Sequence, residues 1–129
     1  MSTRCTIHFH DGAEEEPTAI IYRHSDGYPD GILPDLEQFF ADVREQTEDT
    51  RFGDPSYLAA KYVVWQADQY SSSRNWNLPD APRIKGNMLN FLSLGVLMKD
   101  PGDIEYRYHI WCAFSWQSDD NPSVTWEEV

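Results

Sequence analysis

Residues 104–114 read IEYRYHIWCAF, and no other run constrains the fold as tightly. Its residues sort at period two. Ile104, Tyr106, Tyr108, Ile110, Cys112 and Phe114 share one face, while Glu105, Arg107, His109, Trp111 and Ala113 share the other. Such a strand needs neighbours to pair with and a cover for its apolar side. The opening TRCTIHFH, residues 3–10, alternates in the same way. Cys5, Ile7 and Phe9 point one way, and Thr6, His8 and His10 the other. TAIIYRH, residues 18–24, is rich in β-branched and aromatic residues. A polar connection through Asp11-Gly12, three glutamates and Pro17 joins these two runs as an antiparallel hairpin.

The cover for the sheet comes from two helical stretches. Pro34 suits the first position of a helix, and Asp35 and Glu37 suit its first turn, where the backbone dipoles favour acids. With Leu36, Phe39, Phe40 and Val43 as the apolar stripe, a helix is predicted from about Pro34 to Thr47. Asp54 as N-cap and Pro55 at the first helical position start a second, carrying Leu58, Ala59, Tyr62, Val63, Trp65, Gln66 and Gln69 before Ser71–Ser73. Residues 74–87 read as a long loop. A strand through Leu94, Val96 and Met98, a Pro101-Gly102-Asp103 turn and a short acidic edge strand around Val124 and Trp126 complete the pattern. The predicted fold is a single α+β domain over residues 1–129. It has an antiparallel sheet of about four to five strands with two helices on one face, in the order ββααβββ.

Twenty-two acids against ten bases give a net charge of -12, which opposes direct binding to nucleic acid or anionic membrane. The acids crowd both ends of the chain, and a weakly basic stretch with Arg74, Arg83, Lys85 and Lys99 lies between. Five Trp, seven Tyr and six Phe supply rings that suit half-buried sites and interfaces. Cys5 and Cys112 lie in apolar runs with no CxxC spacing, so buried free thiols in a reducing cytoplasm are expected. No signal-peptide core or run of transmembrane length is evident, and the expected location is cytoplasmic.

The densest collection of chemical groups is YRHSDGYPDG, Tyr22 to Gly31. His24 is a candidate general base or acid near neutral pH, with Asp26 to orient it. Arg4, Arg23, His24, Asp26, Tyr28 and Asp30 are the candidate ligand-binding set. The same segment also reads structurally. Its two Asp-Gly pairs suit turns, Tyr28-Pro29 suits a packed plug, and the Asp side chains suit capping of backbone N–H groups. Arg107 and His109, on the outer face of the long strand, would add to a small basic patch with Arg4 and Arg23 if these elements are neighbours. His8 and His10 share a strand face, and His-x-His can ligate a metal with a third donor from His24, Asp26 or Asp30. Without a confirming motif they read instead as histidines on the solvent side of the hairpin, and no cofactor is expected. Glycine-rich phosphate loops are absent.

MSTRCTIHF at the start, YRHSDGYPDGILPDL at 22–36 and GDIEYRY at 102–108 resemble a family of small uncharacterised bacterial and bacteriophage proteins. Members open with a Met-x-Thr-Arg strand and carry a Tyr-Arg-His-x-Asp-Gly-Tyr-Pro segment before a helix. The resemblance implies a small bacterial or phage domain and brings no activity, cofactor or catalytic residue with it. The leading expectation is a noncatalytic interaction or regulatory protein that engages a protein partner or its own copy. A small enzyme or ligand-binding domain with a pocket near His24, Asp26 and Tyr28 is the alternative. An acidic decoy of a nucleic-acid-binding protein is a third class.

Overall fold

The computed structural model describes residues 3–74, 93–113 and 118–129, with side chains except at 70–74. Among the described residues seven elements follow in the order β1 (Cys5–His10), β2 (Ala19–Arg23), α1 (Pro29–Gln46), α2 (Pro55–Arg74), β3 (Leu94–Leu97), β4 (Tyr106–Trp111) and β5 (Ser123–Glu128). This is the ββααβββ order of an α+β domain. Arg74, expected to open a long loop, is instead the last residue of α2, and the rest of that loop, 75–87, and the end of the long strand at Phe114 lie outside the described residues. Among the described residues, no helix is long and apolar enough to cross a membrane.

The five strands form one sheet in the order β3-β2-β1-β4-β5. Three of its four pairings are antiparallel, and β1 with β4 is parallel, Cys5 opposite Tyr106 and His8 opposite His109. The pairings leave β3 and β4 pointing the same way on opposite sides of the β1–β2 hairpin. The link between them, residues 98–105, must therefore travel back across the sheet. It carries Asp100 to Arg107 and within 3.5 Å of His8, on the sheet face opposite the helices.

Period two divides the sheet cleanly. Cys5, Ile7 and Phe9 of β1, Ile21 of β2 and Tyr108 and Ile110 of β4 enter the core with Ile32, Leu36, Phe39, Phe40 and Val43 of α1 and Leu58, Ala59 and Tyr62 of α2. Each of these helical sets recurs at three- and four-residue spacing, the condition for one apolar stripe on a helix. Rings fill the centre: Phe39 meets Tyr62 edge-on at 5.3 Å, and Tyr62 lies 6.4 Å from Phe9. Polar groups in this layer are paired. Arg23 donates to Asp35 at 2.9 Å and to the Tyr62 hydroxyl at 3.3 Å, and Gln66 donates to the same hydroxyl.

The first helix begins five residues earlier than predicted, at Pro29 rather than Pro34. Pro29 already supplies the fixed φ and missing N–H that suit a first helical position, so Pro34 sits inside the helix. The second Asp-Gly pair, Asp30-Gly31, consequently lies in the first turn of α1 and not in a turn of its own. The first pair does turn, with Asp26 left-handed at φ 56. Asp54 caps α2 as expected: its carboxylate accepts from Tyr57 N–H and its carbonyl from Leu58 N–H.

Candidate metal centre

Among the described residues, the side chains of Tyr22 to Gly31 do not converge on one point. Arg23 faces the helices and is buried in its ion pair with Asp35. His24 is exposed just past the end of β2, its Nδ1 bonded to the Tyr22 hydroxyl at 2.7 Å. Asp26 and Asp30 are exposed, and Tyr28 is 41% exposed, so the tyrosine is no plug. Arg4 is turned away from all of them, its guanidinium on Asp103 at 3.0 and 3.2 Å and on Glu105. What fixes the segment is Gly27. Its N–H donates to the Thr3 carbonyl, its carbonyl accepts from the Tyr108 hydroxyl at 2.7 Å, and its α-carbon lies against β1 too closely for a side chain. The distinctive sequence is there explained by backbone packing.

The groups that do converge lie on the sheet face opposite the helices. His8 and His10 were expected at the solvent surface and are instead 5% and 0% exposed. Residues 15–18 on one side and 97–100 on the other wall a cleft of about 620 Å³ on this face, with His8, Arg107, His109 and Glu127 among its lining. The parallel register sets His109 of β4 beside His8, and Trp111 beside His10. One ring nitrogen from each of His8, His10 and His109 lies within 4.8 Å of the other two. The third donor is therefore His109, and not His24, Asp26 or Asp30. Register explains this, since His8 is opposite Ile20 on β2 and Tyr22 is opposite Thr6, which leaves His24 beyond the strand end.

Hydrogen bonds orient each ring. His10 Nδ1 lies 2.9 Å from the Glu14 carbonyl, an acceptor only, so this nitrogen carries the proton and Nε2 is bare. That bare Nε2 faces His109 Nδ1 at 2.7 Å, while His109 Nε2 meets the Glu127 carboxylate at 3.1 Å. His8 Nε2 sits between the Thr6 hydroxyl at 2.9 Å and Asp100 at 3.5 Å. Trp111 stacks on His10 with centroids 3.9 Å apart and planes 19° from parallel, and its Nε1 is tied to Thr125. Burial pushes the His8 imidazolium down to about 4, with the neighbouring His109 acting the same way, and burial also lowers His10. At neutral pH His8 is an uncharged ring with a lone pair to offer.

Two buried imidazoles and a half-buried third, with His8 and His109 lining an outward cleft, suit a transition-metal ion. On His10 and His109 the nitrogen away from their mutual contact meets an acceptor oxygen, the Glu14 carbonyl and the Glu127 carboxylate, the arrangement that fixes ring orientation at metal centres. Tetrahedral coordination at bond lengths of ~2.0–2.1 Å separates ligand nitrogens by about 3.3 Å. The 2.7 Å contact between His10 and His109 must open by about 0.6 Å to admit the ion, within the reach of side-chain rotation.

Arg107 belongs to this cleft and Arg4 and Arg23 do not, so the four-residue basic patch is not assembled. Arg107 Nε donates to Asp100, and Nη1 donates to Glu127 at 3.0 Å. Both cysteines are buried, and burial pushes each thiol up to about 12, which leaves them without thiolate chemistry at neutral pH. A second groove of about 570 Å³ between α1 and α2 is walled by Tyr57, Val64 and Trp65. There the Asp42 carboxylate is taken by Trp65 Nε1 at 2.8 Å. Comparison with protein families, with characterised proteins and with solved structures gives no match.

Proposed function

We infer that this chain is a transition-metal-binding domain, its ion held by His8, His10 and His109 and reached through the cleft on the open sheet face. One observation carries the reading: a donor nitrogen from each of the three rings within 4.8 Å of the others, with the second nitrogens of His10 and His109 on the Glu14 carbonyl and the Glu127 carboxylate. Three histidine ligands leave a coordination position for water or a small molecule, the arrangement through which metal ions bind ligands or perform hydrolysis. This supports the ligand-binding alternative over the noncatalytic interaction reading, with the pocket at His8, His10 and His109 rather than near His24, Asp26 and Tyr28. Exposed Val96, Met98 and Trp126 at the two sheet edges are what favour an interaction protein. The resemblance to bacterial and phage proteins bears on origin and supports no particular chemistry.

Titration calorimetry of chelator-treated protein with Zn²⁺ and Ni²⁺ tests the reading. Saturable binding of one ion per chain is expected, lost in His10→Ala and in His109→Ala and retained in His24→Ala. Far-UV circular dichroism establishes that the variants are folded. No saturable binding by the wild-type chain, or binding that His24→Ala abolishes and His109→Ala does not, overturns it.

A further inference from the structure

Two carboxylates stand next to the imidazole cluster. Asp100 Oδ2 is 3.5 Å from His8 Nε2, and Glu127 Oε1 is 3.1 Å from His109 Nε2. Free to rotate, either would offer hard oxygen ligands to an ion bound at the rings. A site of three nitrogens with one or two carboxylates accepts Mn²⁺ and other hard cations. A site of nitrogens alone favours the borderline ions Co²⁺, Ni²⁺, Cu²⁺ and Zn²⁺.

One guanidinium restrains both carboxylates. Arg107 donates through Nε to Asp100 Oδ2 and through Nη1 to Glu127 Oε1. Its position is set by the sheet, because Arg107 lies opposite Thr6 of β1 on one side and opposite Glu127 of β5 on the other. The other oxygen of Asp100 accepts from the Gly102 N–H at 2.8 Å, in a turn where Gly102 has φ 76. Asp100 therefore has both oxygens occupied. Glu127 Oε1 is shared between Arg107 and His109. The planar guanidinium fork holds two acceptors in fixed directions, which a lysine ammonium does not.

We propose that Arg107 is the specificity-determining residue of this centre: it keeps Asp100 and Glu127 as outer partners of the imidazoles, so the site selects borderline transition-metal ions over hard ones. The proposal rests on the three-histidine reading above. Arg107 touches no ion itself. It acts by denying the ion its oxygen ligands.

The test compares wild type, Arg107→Met and Arg107→Lys by calorimetry with Co²⁺ and Mn²⁺ and by the visible absorption of the Co²⁺ forms. Wild type is expected to bind Co²⁺ far better than Mn²⁺ and to show the intense visible bands of low-coordinate cobalt. In Arg107→Met the ratio of Co²⁺ to Mn²⁺ affinity should fall roughly tenfold or more, the size of an outer-partner effect. The cobalt bands should weaken as carboxylate oxygens raise the coordination number. Arg107→Lys should fall between the two. Adding Asp100→Asn and Glu127→Gln to Arg107→Met should restore the wild-type ratio. If Arg107→Met does not fold, Arg107→Lys carries the comparison. Cobalt spectra and affinity ratios identical in wild type and the folded variants would overturn the proposal while leaving the metal centre intact. A wild-type chain that binds neither Co²⁺ nor Zn²⁺ removes the centre and the proposal together.

Discussion

Gly27→Ala tests whether the YRHSDGYPDG segment is scaffold or site. An alanine Cβ at this position would lie 2.8 Å from the Thr3 carbonyl oxygen, 2.9 Å from Cys5 Cβ and 3.0 Å from Cys5 N. The obstacles are backbone and core atoms of β1, the central strand, and of the residues leading into it, and they cannot rotate aside. Overpacking of this kind costs ~1–3 kcal/mol. The displacement also stretches two hydrogen bonds, Gly27 N–H to Thr3 O at 2.9 Å and Tyr108 O–H to Gly27 O at 2.7 Å. Each of those is worth about 1 kcal/mol. A loss of about 3 kcal/mol follows, or a fall in Tm of about 10 °C for a domain of this size. Urea unfolding followed by tryptophan fluorescence reads the loss directly. Asp26→Gly gives the opposite control. Asp26 is left-handed at φ 56, so glycine there should be neutral or stabilising by up to ~1 kcal/mol. Both variants should bind metal with wild-type affinity while folded. A cost below ~0.5 kcal/mol for Gly27→Ala would refute the close-packing argument. Unchanged stability with lost metal binding would return the segment to the functional side.

Two further outcomes are expected. Neither cysteine of the native metal-free chain should react with a thiol reagent at neutral pH, and both should react once unfolded, since both are buried with thiols pushed up to about 12; rapid labelling of folded protein would contradict this. His8 should make the metal-free domain acid-sensitive. Its pKa is depressed on folding from 6.5 to about 4, so the unfolded chain binds the extra proton between these values and stability falls as pH drops through that window. Unfolding free energy measured against pH should show this slope in wild type and a shallower one in His8→Gln, where the lowered His10 still contributes, and equal slopes would count against a buried neutral imidazole.

Local pattern was sufficient for most of the scaffold. The alternation in residues 104–114 correctly assigned Tyr106, Tyr108 and Ile110 to the core side and Arg107, His109 and Trp111 to the other. The Asp54-Pro55 start of α2 is a short-range signal and was readable as one. The α1 start was misread because two prolines, Pro29 and Pro34, each satisfy the same local requirement, and only the packing of Ile32 into the core decides for the earlier. His8 and His10 were recognisable as a pair, because two residues apart on a strand means one face.

Their burial and their third partner were not legible, and neither was the role of Arg107. His109 lies about a hundred positions away on a strand whose parallel pairing with β1 depends on the return of residues 98–105 across the sheet. That same crossing brings Asp100 over His8. Conversely, the clustering of His24, Asp26, Tyr28 and Asp30 in sequence implied a convergence that a turn and the start of a helix pull apart. The sequence by itself determined the elements, their two faces and the chemistry carried on each, because these depend on backbone period and side-chain type over a few residues. The tertiary structure alone decided that a central strand would be flanked by β2 on one side and β4 on the other. A parallel register has no short-range code, and it is this register that turns a His-x-His pair into a cluster of three histidines.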